Sequence, residues 1–129
     1  MADVNRGNRP LSPFMIGQYY RPQMTSISSI MVRITGIASL GSAFLIVLWL
    51  LTAATSESAF AVVDGFLRSI LGDLLMLLAV WAIWYHVFGR LRHVIWDFGH
   101  MLEVGISEKM GAAMFIGATV MTILTAIVV

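Results

Sequence analysis

Three long apolar stretches of this chain are free of charge. Residues 34–56 form a run of 23 without Asp, Glu, Lys or Arg, and residues 110–129 form another of 20. Each meets the roughly 20 residues that a helix needs to cross about 30 Å of hydrocarbon. The middle stretch is less clean, because Asp64, Arg68 and Asp73 precede the uncharged run 74–89. The pattern predicts an all-α membrane protein, a single integral-membrane domain over 1–129 with transmembrane helices over about 30–54, 66–92 and 108–129. Residues 1–28 are polar, contain all three prolines and lack the apolar centre of a cleavable signal peptide, so they read as a polar N-terminal segment.

Composition agrees. With 59% hydrophobic and 12% charged residues, the chain has too little polar surface to face water on all sides. A net charge of +1 argues against a nucleic-acid partner, which would call for a basic stripe. The absence of cysteine removes disulfides, iron–sulfur ligation and covalent c-type haem attachment from this chain. Gly65 and Gly72 lack the spacing of a phosphate-binding loop. Gly36, Gly41, Ala43, Gly72, Gly111, Gly117 and Ala118 offer small faces for close helix packing.

Basic residues set the orientation. Arg6, Arg9, Arg21 and Arg33 precede or open the first span, and Arg90, Arg92 and Lys109 lie between the second and third. The first loop has Arg68 against Glu57, Asp64 and Asp73. The positive-inside rule then puts the N-terminus and the second loop on the cytoplasmic or matrix side. His86, His93 and Arg33 converge on that face.

The candidate chemistry lies there. In Tyr85-His86-Val87-Phe88-Gly89-Arg90-Leu91-Arg92-His93, histidine and arginine close a membrane-length apolar stretch. Ionisable groups near hydrocarbon are costly and mark functional sites. A neutral imidazole can ligate haem iron while arginines neutralise anionic groups, so the segment points to a haem pocket at a membrane face. His86 and His93 share a helical face but differ in height by about 10.5 Å. Axial nitrogens on one iron sit only ~4 Å apart, so these two cannot both hold one haem. If the chain binds a six-coordinate haem, the second axial ligand must come from another polypeptide, since His100 lies a further seven residues on, beyond the membrane. Taken alone, a histidine at a helix end is more often an interfacial polar residue.

A second cluster is Ser29-Ile30-Met31-Val32-Arg33-Ile34-Thr35-Gly36. Four residues apart on a helix, Ser29 and Arg33 share a face, where a hydroxyl can bond a carbonyl and a guanidinium can stabilise developing negative charge. Spacing alone favours a plainer reading, with Ser28 or Ser29 as an N-cap and Arg33 anchored at the interface.

Arg9-Pro10-Leu11-Ser12-Pro13, Tyr20-Arg21-Pro22, the Ser29–Gly36 block, and His86 with Gly89, Arg92-His93 and Asp97 occur in this order. Nearly the whole chain resembles the cytochrome b membrane-anchor subunits of succinate dehydrogenase, respiratory complex II. That resemblance implies a three-helix anchor within a multi-subunit bundle, with His86 as axial iron ligand of a b-type haem shared with a second anchor subunit. It implies that Ser29 and Arg33 line the ubiquinone site where the iron–sulfur subunit docks, and that Arg33 and His93 lie beside the haem. Asp97 and Tyr85 belong to the same block. FAD and the iron–sulfur clusters would sit on the flavoprotein and iron–sulfur subunits, so this chain alone would not oxidise succinate. The bilayer would be the bacterial or mitochondrial inner membrane. Three positions depart from the family pattern: Val32 replaces a histidine common before the arginine, Phe14 replaces a histidine, and Gly89 lies three residues after His86 rather than four, with Arg90 in the usual place. Two alternatives are the anchor of a quinol:fumarate reductase and a cofactor-free structural membrane subunit.

Overall fold

The computed structural model describes residues 20–129. They form four α-helices, α1 Met24–Thr55, α2 Glu57–Leu67, α3 Ile70–Asp97 and α4 Val104–Val128. The first, third and fourth are long and apolar enough to cross a membrane, and the chain is an integral membrane protein. Arg6, the segment Arg9-Pro10-Leu11-Ser12-Pro13 and Phe14 lie outside the described residues.

Local capping sets the helix starts, and it corrects the expected boundaries. The Ser26 hydroxyl accepts the Gln23 N–H at 3.2 Å and donates to the Gln23 carbonyl at 2.8 Å, closing the first turn of α1. The helix therefore begins at Met24 rather than near 30, and neither Ser28 nor Ser29 is an N-cap. The segment after α1 is not a loop. Ser56 ends α1, and its Oγ accepts the Ala59 N–H at 3.3 Å to open α2. Trp49 Nε1 donates to Asp64 at 3.2 Å, and Arg68 pairs with the same carboxylate at 2.8 Å, which ties α2 to α1. A new cap follows, the Ser69 hydroxyl accepting from Gly72 N–H at 3.2 Å. Phe66 and Leu67 thus belong to α2, and α3 begins at Ile70 instead of 66. At its far end α3 runs to Asp97 instead of 92, so His93 is helical along with Arg90 and Arg92. α4 starts at Val104 rather than 108.

α3 is the central helix, packing on both α1 and α4. Tyr85 and Ala118 are wholly buried, with Val32 and Met114 packed against them. The Tyr85 ring lies 5.2 Å from Trp81 and 4.8 Å from Phe115 between centroids. Within hydrocarbon, hydrogen bonds between helices supplement packing. Here Trp81 and Trp84 donate their indole N–H groups to Thr119 and Thr125 of α4, each at 3.1 Å.

Close helix approach depends on particular glycines. A Cβ at Gly36 would meet His86 Cε1 at 2.9 Å, and one at Gly89 would meet Val32 Cγ2 at 2.5 Å. Gly111 faces Ser28 and Gly117 faces Phe88, as expected of small faces. Gly41 does not serve this way, because its side of α1 has nothing within 4 Å. Gly72 meets only backbone of the α2–α3 turn. Overpacking a filled site costs about 1–3 kcal/mol. Gly89→Val is expected to lower the thermal denaturation midpoint of the detergent-solubilised protein, while Gly41→Ala leaves it unchanged or raised; equal midpoints for the Gly89 variant and the parent would refute the α1–α3 contact.

Candidate functional site

A groove of about 470 Å³ opens between α1 and α3, at the end of the bundle where α1 begins and α3 finishes. From α1 it is lined by Ser29, Val32, Arg33 and Gly36, and from α3 by His86, Arg90 and His93. Ile37 and Leu40 continue its apolar wall toward the membrane interior. Four expected residues, Ser29, Arg33, His86 and His93, therefore share one cavity.

The protonation of His86 follows from its neighbours. Nδ1 lies 3.0 Å from the Val32 carbonyl oxygen, which can only accept, so Nδ1 carries the proton and donates. Nε2 in turn accepts from Arg90 Nε at 3.1 Å and so presents a lone pair. A ring nitrogen held by a backbone carbonyl is how proteins fix the tautomer and aim the other nitrogen as a ligand. Gly36 is what lets the ring lie this close to α1. His93 is oriented similarly, its Nδ1 donating to the Gly89 carbonyl at 2.7 Å, and its ring stands edge-on to Trp96. Among the described residues no three metal-binding side chains converge. The Nε2 lone pair, here taken by Arg90, would suit a metal whose other ligands come from elsewhere once that guanidinium moves off.

Ser29 and Arg33 lie one turn apart on the groove side of α1, with Arg33 exposed. No carboxylate lines the groove, and neither Arg33 nor Arg90 forms an ion pair with a described residue. The other two expected positions lie elsewhere. Asp97 ends α3 on the surface, outside the groove. Tyr85 points into the core, its hydroxyl donating to the Ser28 carbonyl at 3.4 Å.

Behind the groove lies a cluster that the sequence reading missed. Arg92 is only 3% exposed, and its Nη1 donates to Ser28 Oγ at 2.8 Å. That hydroxyl in turn donates to the Thr25 carbonyl at 3.0 Å. The guanidinium lies over the Trp96 ring at 4.5 Å, and its buried Nε has no partner among the described residues. Ser28 and Ser29 thus face opposite tasks: one ties α1 to α3 and the next lines the groove. The usable signal was Arg92 lying two helical turns from Tyr85, on the same inward face.

Three membrane spans, with a basic and histidine-bearing groove at one end of the bundle, define a small membrane subunit built around a polar site. The chain matches the family described as succinate dehydrogenase/fumarate reductase transmembrane subunit over residues 5–126, and it belongs to that family. It is 47% identical over 128 residues to the succinate dehydrogenase cytochrome b556 subunit of Paracoccus denitrificans, covering 99% of this chain and 97% of that one. It is 35% identical over 102 residues to the cytochrome b560 subunit of Reclinomonas americana succinate dehydrogenase, covering 75% and 69%. The cytochrome b556 subunit of Rickettsia conorii is 28% identical over 117 residues, covering 90% and 89%.

The Arg92–Ser28 bond makes a test of its own. Leaving a buried donor without its acceptor costs about 1–3 kcal/mol, and interhelical bonds within membranes fall toward the low end. A double-mutant cycle of Ser28→Ala with Arg92→Met should show coupling of about 0.5–2 kcal/mol in denaturation of the detergent-solubilised protein. Additive effects would show that the bond does not join α1 to α3.

Proposed function

We propose that this chain is the haem b-binding membrane anchor of a succinate:quinone oxidoreductase and that it forms part of the ubiquinone-reduction site. The observation that carries the reading is the meeting of Ser29, Arg33 and His86 in one groove, with Nδ1 of His86 held by a carbonyl so that Nε2 is the nitrogen that would ligate on release by Arg90. The donor set fits a haem: a neutral imidazole fixed by a backbone carbonyl, a glycine making room beside it, and two guanidiniums suited to carboxylates. His86 would hold the iron, with Arg33 and His93 beside the macrocycle. Bound there, the haem supplies a one-electron redox centre. A further ligand to the iron would come from another membrane chain, since His93 is seven residues from His86 and turned onto the Gly89 carbonyl.

Quinone reduction takes two electrons and two protons and builds negative charge on the carbonyl oxygens. Arg33 donates charge-assisted hydrogen bonds to such an oxygen, and the Ser29 hydroxyl donates a neutral one. Held on a helix, both are positioned before charge develops. FAD and iron–sulfur clusters on the flavoprotein and iron–sulfur subunits would supply the electrons from succinate, and the chain would anchor those subunits to the bacterial or mitochondrial inner membrane. Its N-terminus and groove face the cytoplasm or matrix, as the arginines at that end favour. The family also includes fumarate reductases, but the relatives above are named as succinate dehydrogenase subunits, which favours succinate oxidation as the physiological direction.

Two measurements test this. In the assembled complex, His86→Ala should abolish the low-spin b-type spectrum or the haem itself, while His93→Ala keeps bis-histidine ligation; an unchanged low-spin spectrum in the His86 variant removes the ligand assignment. For the quinone, Arg33→Leu should lower succinate:quinone activity by about 100- to 1000-fold, the range seen for loss of an oxyanion donor. Ser29→Ala should cost less, about 0.5–1.5 kcal/mol. Both should keep succinate oxidation by an artificial dye that takes electrons upstream. An assembled Arg33 variant reducing quinone at the parental rate would contradict the assignment.

A further inference from the structure

The Arg90 guanidinium rests on the one atom of His86 that a metal would need. Its Nε–H donates to His86 Nε2 at 3.1 Å. That nitrogen has a single in-plane lone pair, which accepts a hydrogen bond or binds a metal but not both. Arg90 lies one turn beyond His86, on the same face of α3, and it lines the same groove. With iron on Nε2 the guanidinium must take another acceptor. The groove offers it no carboxylate, and the chain's one described ion pair, Arg68 with Asp64, belongs to α2 and the turn after it. Cations near hydrocarbon pair with anions or reach for water.

We propose that Arg90 is a haem-carboxylate binding residue, the second cation of the groove beside Arg33, and that its charge sets the reduction potential of the haem. The proposal rests on the haem reading above and deepens it. Haem is flat and apolar with two carboxylates on one edge, and the groove is apolar-walled with two guanidiniums and no competing acid. A guanidinium binds a carboxylate through two parallel N–H groups, which a lysine ammonium does not reproduce in shape but does reproduce in charge. Because reduction removes one positive charge from the iron, a nearby cation favours the reduced haem. Losing Arg90 therefore shifts the balance toward the oxidised form. The group is exposed, so the shift is screened and reaches at most about tenfold in the reduction equilibrium, or ~59 mV for one electron.

The test is a redox titration of the visible haem bands in the purified complex, with haem content per complex, for the parent, Arg90→Gln, Arg90→Lys and Arg68→Gln. Arg90→Gln should lower the midpoint potential by several-fold in the equilibrium or lose haem, while Arg90→Lys keeps haem at a potential near that of the parent. Arg68→Gln, remote from the groove, should match the parent. An Arg90→Gln complex with full haem and an unchanged potential overturns the proposal and leaves Arg90 an interfacial anchor on lipid phosphate. It is overturned equally if Arg90→Lys loses haem, or shifts in potential, as much as Arg90→Gln does. A parent complex without b-type bands would instead sink the haem reading itself, so the two failures are distinguishable.

Discussion

Val32 is the residue on which the rest of the arrangement depends. Its side chain fills the space left by Gly89, bringing α1 against α3 in the core. From the same residue, the backbone carbonyl accepts a hydrogen bond from Nδ1–H of His86 and so fixes the ring and its tautomer. Packing and chemistry are thereby coupled through one position. A change that pushed the two helices apart would lengthen the carbonyl–imidazole bond as well as open the core. Val32 and Gly89 are two positions at which the sequence was expected to depart from the family pattern, and in the structure they pack together. A branched side chain at 32 needs an absent one at 89, and that leaves the next residue, Arg90, on the groove side of α3.

A buried guanidinium is the costliest element of the bundle, and the structure spreads that cost over several contacts. Arg92 has a serine hydroxyl, an indole face and no carboxylate among the described residues. Burying an unpaired charge in hydrocarbon costs at least several kcal/mol. Its place near the end of α3, six residues from the last helical position's neighbour Phe98, keeps it close to the aqueous face. What the contact achieves is fixity at the start of α1, where helix ends otherwise fray. Tyr85 adds a second tie to the same residue, through the Ser28 carbonyl. Ser29 and Arg33 are thus presented from a stretch of helix held on its opposite face.

Much of this was legible in the chain, and what was not has a physical cause. Uncharged runs identify membrane spans because length and hydropathy are what a bilayer selects, and all three spans were found that way. The convergence of Ser29, Arg33, His86 and His93 followed from helix direction and turn arithmetic. α2 escaped because its 11 residues are too few for a span, and Asp64 and Glu57 make the segment look like a loop. Its signal was Ser56 as an N-cap, with Phe60, Val63 and Leu67 at helical spacing. Arg92 was counted among the basic residues of a connection, since charge near a span end reads as solvent-facing by default. Only tertiary contact distinguishes a snorkelling arginine from one turned inward. Gly89 was read as a displaced motif residue rather than a packing site, because its meaning lies in a side chain 57 positions earlier in sequence.

The uneven coverage of the bundle bears on how the site works. α1 is the least covered of the three spans within the chain and α4 the most, while α3 is shared between them. The groove opens on the poorly covered side, between α1 and α3, where exposed Ile37, Leu40 and Phe44 extend it along α1. Lipid alone could cover those apolar positions, but it supplies neither an imidazole nor a defined wall for a flat ligand. On the proposed reading, a second anchor chain would close the groove and bring a further ligand, so that haem binding and subunit assembly would become one event. The energetics agree with that order: a histidine already fixed in its tautomer loses little freedom on ligation, whereas an open groove gains its specificity from the chain that covers it.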